Sequence, residues 1–262
     1  MFDELGDGVF RRRYESMDLN VGVVVSEQGI LVVDTRCTHV EADELLADIR
    51  TLSPLPVRWV VDTHWHWDHT FGNSRFTGAE IWGHELCRRA LEERGESMKH
   101  AAAEWLPDLG DDIESVVIAA PSRSFADTAS IDLGSRTALL SYHGLGHTDS
   151  DIAISVEGED VLFLGDLVEE SGPPHFDDGY PIHWPGTLRS ALHPGKAVIV
   201  PGHGDTMSWA EADEQLEELE SVALLARECV EAGAPVSQAA AQGPYPVEVM
   251  ISALTRAVEI GP

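Results

Sequence analysis

Six consecutive residues, His64-Trp65-His66-Trp67-Asp68-His69, hold four side chains of the kind that bind divalent metals. Imidazole and carboxylate suit a borderline ion such as zinc. On an extended segment His64, His66 and Asp68 project the same way. A turn at Asp68 and His69 then sends the last two ligands towards a different ion from the first two. Three more residues of ligand type occur downstream, each after a strand-like apolar run or in a glycine-flanked turn. They are His147 in Gly144-Leu145-Gly146-His147-Thr148, Asp166 after Val161-Leu162-Phe163-Leu164-Gly165, and His203 in Val198-Ile199-Val200-Pro201-Gly202-His203-Gly204. Upstream, the run Ile30-Leu31-Val32-Val33 ends in Asp34. Glycine beside such residues lets the backbone turn tightly and come close to an ion. No cysteine lies in any of these motifs, and structural zinc sites are usually closed by cysteine, so the pattern points to an open, catalytic site.

The elements that must position these residues read as alternating strands and helices. Apolar runs at 21–26 and 30–34, separated by Glu27-Gln28-Gly29, predict an early hairpin. Thr38 followed by Glu41 resembles a capping box, with an amphipathic helix over 41–52 that Pro54 and Pro56 stop. A buried strand at 59–62 feeds the metal hexad. A short strand at 79–82 precedes a helix over 85–94, and 98–105 is a second helical stretch. Strands follow at 131–133 and 137–142, turning at Gly134-Ser135, then at 152–156 and 161–164, then at 198–200. A long helix over 210–232 ends at Gly233 and Pro235, and a last helix covers 247–258. Strand runs on both sides of the centre suggest two similar halves.

In order and type, these ligands resemble the pattern of the metallo-β-lactamase superfamily: an Asp after an early strand, then His-x-His-x-Asp-His, then His, Asp and His. The match runs from Asp34 through His64, His66, Asp68, His69, His147 and Asp166 to His203. The resemblance implies an α/β fold of four layers, an αββα sandwich, with the metals at one edge of the paired sheets. One domain spanning 1–262 is expected, with C-terminal helices in 207–262 packed on it. Carried over residue by residue, it places one metal on His64, His66 and His147 and the other on Asp68, His69 and His203, with Asp166 between them. It implies two divalent ions, zinc first, with iron or manganese as alternatives. The activity implied is hydrolysis of an ester, thioester or lactone by a metal-bridging hydroxide, with Asp68 orienting that hydroxide and carrying its proton to the leaving group. Asp34 would accept a hydrogen bond from a ligand imidazole, or serve only as a turn residue.

Oxygen-reducing di-iron relatives carry glutamate where this chain has His66, which favours hydrolysis. An iron-dependent sulfur dioxygenase and a small-nucleotide phosphodiesterase are the alternatives. Relatives that open β-lactams often have cysteine or serine at the place of Asp166, and some have a lysine soon after it. Here Leu167-Val168-Glu169-Glu170 follows, without a cation. Glutathione thioesterases of the family use basic residues near the C-terminus, where 207–262 offers only Arg227 and Arg256. The segment 169–187, with four prolines and three aromatics, reads either as a rigid surface loop or as a wall of the substrate pocket. In the second reading His175, Phe176, Tyr180, His183 and Trp184 contact the substrate, and Trp65 and Trp67 add to the wall or to the core.

Charge and composition narrow the partners. The 46 acidic against 17 basic residues give a formal net charge of −29, and Lys99 and Lys196 are the only lysines. Nucleic acid and anionic membrane surfaces both need clustered cations, so neither is an expected partner. The surplus reads as a solvated acidic shell, and an adaptation to high salt gives the same composition. Three widely spaced cysteines do not form a disulfide framework. The acidic N-terminus lacks an apolar leader core, so a reduced, cytoplasmic location and a small-molecule substrate are expected.

Overall fold

A computed structural model describes residues 1–192 and 195–262. Seven strands form the first sheet in chain order: β1 (Asp3–Gly6), β2 (Val9–Arg13), β3 (Asn20–Ser26), β4 (Gly29–Val33), β5 (Val57–Val61), β6 (Glu80–His84) and β7 (Arg123–Phe125). Pairing is antiparallel from β1 to β4 and parallel from β4 to β7. The second sheet has the order β12 (Val198–Pro201), β11 (Val161–Gly165), β10 (Ile152–Val156), β9 (Thr137–Tyr142) and β8 (Thr128–Asp132), with only β11 and β12 parallel.

Strand alternation sets the layers. Val24, Leu31 and Val33 face Ile154, Val161, Phe163 and Val200 of the other sheet, forming the central core. Their neighbours Val21, Val23, Ile30 and Val32 turn outward onto Ala42, Leu45 and Ile49 of helix α1 (His39–Leu52). Leu162, Leu164 and Ile199 likewise turn outward onto a second helical layer. That layer comprises α5 (Trp184–Ala191), α6 (Trp209–Ala232), α7 (Val236–Ala240) and α8 (Val247–Ile260). Strands buried on both faces lose the apolar–polar alternation and read as continuous apolar runs. The result is the expected four-layer αββα arrangement. The sheets approach closely at Gly22, where a Cβ would stand 2.5 Å from the Phe163 ring.

Several boundaries differ from the sequence reading. The β1–β2 hairpin and β7 were not expected: β1 and β7 are short and largely exposed, and arginines fill three of the five positions of β2. The stretch 85–105 is one helix, α3 (Glu85–Trp105), rather than two. Gly95 does not break it, because that glycine gives room to Ile118, whose Cγ2 lies 2.7 Å from where a Cβ would be. The short helices α2 (Trp67–Thr70) and α4 (Gly110–Glu114) complete the set. Thr38 caps α1 by accepting from the Glu41 backbone N–H. The Glu41 carboxylate, however, accepts from the backbone N–H of Cys37 and from Arg36, so the reciprocal half of a capping box is missing there. A complete one, Ser208 with Glu211, starts α6. Gly233, in the left-handed region at φ 67°, ends α6 as expected.

Candidate metal centre

Every candidate ligand lies where a strand of the sandwich ends. The segment 62–66 leaves β5 and enters α2, which carries Asp68 and His69. His147 lies between β9 and β10, Asp166 directly follows β11, and His203 follows β12 after one glycine. Asp34 directly follows β4. Polar groups at the carboxyl ends of parallel strands are the usual site position in α/β folds. Asn20 fixes the last of these turns, donating from Nδ2 to the carbonyls of Pro201 and Gly204.

The side chains gather into groups whose ligand atoms lie within 4.8 Å of one another: His64, His66, His147 and Asp166; Asp68, His69 and His203; and Asp166, Glu169 and His203. Asp166 faces the first two groups. Its Oδ1 is 3.2 Å from Nε2 of His69, and its Oδ2 is 3.4 Å from Nε2 of both His147 and His203.

Each of the five histidines is anchored through one ring nitrogen and turns the other inward. Nδ1 of His64 meets Oγ1 of Thr63 at 3.0 Å, and that hydroxyl donates to Asp34. Nε2 of His66 meets Asp178 at 3.3 Å. Nδ1 of His69 donates to Oδ2 of Asp34 at 2.8 Å. Nδ1 of His147 points at the His175 carbonyl, 3.2 Å away, and Nδ1 of His203 at the Met17 carbonyl, 2.7 Å away. Carboxylates and carbonyls behind an imidazole fix its tautomer, leaving a lone pair on the inward nitrogen. Nδ1 of His66 and Nε2 of His147 converge to 2.8 Å, and Nε2 of His69 and His203 to 3.4 Å.

This arrangement fits a cation. Nε2 of His64 and Oδ1 of Asp166 are buried with no hydrogen-bond partner. Buried polar atoms are rarely left so, and a divalent ion accepts both. Burial pushes His64 down, and His147 down to about 3, so both are neutral and ready to ligate. Burial also opposes charge on His69 and His203, but Asp166 and Asp68 outweigh it and push both up. Burial works against Asp68 as a charged group, yet His69 and His203 hold its carboxyl at about 2. Gly202 makes the close packing feasible: a Cβ there would fall 1.7 Å from Oδ1 of Asp166.

A cavity of about 500 Å³ opens beside the ligands. The loop after Asp166 contributes Ser171, His175, Asp177 and Asp178 to it, and α3 contributes Met98, Ala101, Ala102 and Trp105. Of the five pocket residues expected from 169–187, only His175 lines it. Phe176 and Trp184 are instead buried in the core under α5, α6 and α8, where an aromatic buries more surface than at an open wall. Tyr180 is half-buried beside Arg256, and His183 is an exposed residue at the start of α5, both outside the lining. Trp65 and Trp67 do line the cavity. The sequence reading missed Thr63, Asp178, Glu169 and Trp105. Thr63 adjoins the hexad and Glu169 stands three residues after Asp166, so spacing offered a signal for those two. Asp178 and Trp105 reach the centre through tertiary packing alone.

The family model described as the metallo-beta-lactamase superfamily matches residues 18–224. A "Metallo-beta-lactamase type 2" of Bacteroides fragilis is 22% identical over 190 residues, which cover 70% of this chain and 68% of the relative. Among solved structures, a metallo-beta-lactamase from Pontibacter korlensis superimposes with TM-score 0.67 at 21% identity, covering 84% of this chain and 98% of that one. The metallo-beta-lactamase FIM-1 from Pseudomonas aeruginosa, in its mono-zinc form, gives TM-score 0.67 at 16% identity over 86% and 96% of the two chains. The four-layer sandwich, the anchored histidines and the matching family model agree, and the chain belongs to the metallo-beta-lactamase superfamily.

Proposed function

We propose that this protein is a dinuclear metal-dependent hydrolase of a small ester, thioester or lactone, with zinc as the working metal. The observation that carries the reading is the convergence of five inward imidazole nitrogens on Asp68 and Asp166, each ring braced from behind. His64, His66 and His147 would hold one ion, and Asp68, His69 and His203 the other, with Asp166 shared. When bound, such ions supply an activated water at neutral pH and a Lewis acid for the scissile carbonyl.

The protein's own groups do the rest. Asp68, a buried carboxylate within 3.6 Å of His69 and 3.3 Å of His203, can take a proton from the attacking water and deliver it to the leaving oxygen or sulfur. Asp34 and Asp178 keep the imidazoles turned inward through the reaction. A cavity of about 500 Å³ suits a small molecule. The named relatives are lactamases, but no described lysine or arginine lines this cavity to grip the carboxylate of such a substrate. His66, in place of the glutamate of oxygen-reducing di-iron relatives, supports hydrolysis over oxygen reduction.

The test is elemental analysis of protein purified without chelator, combined with assays on ester, thioester and lactone panels. We expect close to two equivalents, chiefly zinc, and an activity that chelation abolishes and zinc restores. Metal content fixed at one equivalent after zinc addition defeats the dinuclear reading. Iron with oxygen consumption points instead to a dioxygenase, and cleavage of a chromogenic phosphodiester alone to a phosphodiesterase.

A further inference from the structure

The cavity beside the metal centre is lined by acidic and aromatic side chains. Five carboxylates line it, those of Asp68, Asp166, Glu169, Asp177 and Asp178, and no lysine or arginine among the described residues does. Asp68, Asp166 and Glu169 belong to the ligand groups, and burial beside Asp166 pushes the Glu169 carboxyl up, so Asp177 and Asp178 are the lining carboxylates outside them. Glu169 is only 5% exposed, and its hydrogen bonds to Gln215 are made by its backbone, not by its carboxylate. Asp177 accepts from the Ser252 hydroxyl and Asp178 meets His66, so neither has a cationic lysine or arginine head on its carboxylate. Arg256 bonds the carbonyls of Gly179 and Asp178 and acts on the Asp178 carboxylate only at longer range, and Arg94 lies on the ring of Trp65.

The remaining lining is aromatic. Trp67 and Trp105 meet edge to face, with centroids 6.0 Å apart, and Trp105 is 61% exposed at the cavity rim. An exposed tryptophan in a corner with a second one presents free π faces, which attract cations. Trp105 also ends α3, whose last turn reaches the cavity through Ala102 and Trp105 and holds no basic residue. A helix C-terminus carries partial negative charge and favours a cation. Aromatic faces, a helix C-terminus and the carboxylates of Asp177 and Asp178 thus act in the same direction.

We propose that the substrate of this centre carries an alkylammonium group, seated against Trp67 and Trp105 and balanced by Asp177 and Asp178. This rests on the hydrolase reading of the same centre and names its substrate class. The ester, thioester or lactone bond lies at the metals, and the cation on the part of the molecule directed to the rim.

The test is calorimetric binding to the zinc-loaded protein of two isosteric pairs, choline against 3,3-dimethylbutan-1-ol and butylammonium against butan-1-ol. Within each pair the size is matched and only the charge differs. We expect the cation of at least one pair to bind about tenfold more tightly, the scale of a partly desolvated cation–π contact. Trp105→Ala should remove most of that advantage and Asp177→Asn part of it, with zinc content unchanged in both. If neither cation outbinds its neutral partner, or if both substitutions leave the preference intact, the assignment is overturned. Hydrolysis of acetylcholine and of 3,3-dimethylbutyl acetate separates the two readings. Equal cleavage of both with no cation preference keeps the hydrolase and removes the ammonium site. Selective choline binding without cleavage of any ester, thioester or lactone keeps the ammonium site and removes the hydrolase.

Discussion

Asp34 and His69 are joined by a 2.8 Å hydrogen bond from Nδ1 of the imidazole to Oδ2 of the carboxylate. The same oxygen accepts from Oγ1 of Thr63, which stands behind His64, while Oδ1 accepts from the Thr63 backbone N–H. One carboxylate at the end of β4 thereby orients a histidine of each ligand group. The backbone of Asp34 sits in the left-handed region at φ 65°. Aspartate tolerates that region better than most residues, and strain retained beside a site indicates that the surrounding contacts hold it.

Replacing Asp34 should therefore act through the metals. Asp34→Asn keeps the shape and the backbone tolerance but puts an amide N–H where one oxygen now meets donors. We expect metal affinity to fall about 10–100-fold, the usual cost of losing such a partner. Competition against a chromophoric chelator measures it. An affinity within twofold of the parent would mean that Asp34 is only a turn residue.

Gly202 offers a steric counterpart. Its backbone does not require glycine, since its φ is not positive, but a Cβ would stand 1.7 Å from Oδ1 of Asp166 and 3.1 Å from Cε1 of His69. Gly202→Ala should displace the shared ligand and weaken metal binding at least about tenfold. Gly172→Ala, with nothing within 4 Å of the added Cβ, is the control and should bind metal like the parent. Equal metal content and affinity in both variants would show that Asp166 relaxes freely.

The ligands were legible because metal chemistry restricts residue type and the strand ends restrict position. The apolar runs before Asp34, His64, Asp166 and His203 identified the strands that carry them. Edge strands β1 and β7 were not legible, since their residues are exposed and charged and their pairing is decided by neighbours distant in sequence. The segment 169–187 shows the same limit at the site. Its aromatics could face a pocket or a core, and only the positions of α6 and α8 decide for the core. Nor does sequence spacing bring Trp105, at the end of a helix of 21 residues, beside Trp67.

Asp68 is both a member of a ligand group and the proposed proton carrier. Asp68→Ala should lower kcat by at least about a hundredfold on the best substrate found, the lower end for a general acid–base group. Metal content, measured in parallel, separates the two roles: loss of activity with both ions retained assigns the proton role. Turnover near that of the parent would remove Asp68 from the mechanism.

Trp184 and Trp105 should respond in opposite ways. Trp184 is fully buried, donates from Nε1 to the Leu167 carbonyl at 3.1 Å, and packs on Phe176 at 5.2 Å between centroids. Trp184→Ala removes that packing and leaves the carbonyl unpaired, so a loss of about 3–5 kcal/mol in stability is expected. Trp105, 61% exposed, contributes little to the core, and Trp105→Ala should stay within about 0.5 kcal/mol of the parent. Substrate preference should follow the reverse order, because Trp105 lines the cavity and Trp184 does not. Urea unfolding gives the stabilities, and kcat/KM over the substrate panel gives the preferences, with Trp184→Ala assayed well below its unfolding midpoint. Since Trp184 also packs against the ring of His147, its variant is compared at matched metal content. A stable Trp184→Ala protein with altered preference would return this tryptophan to the pocket wall and move the core of the second helical layer elsewhere.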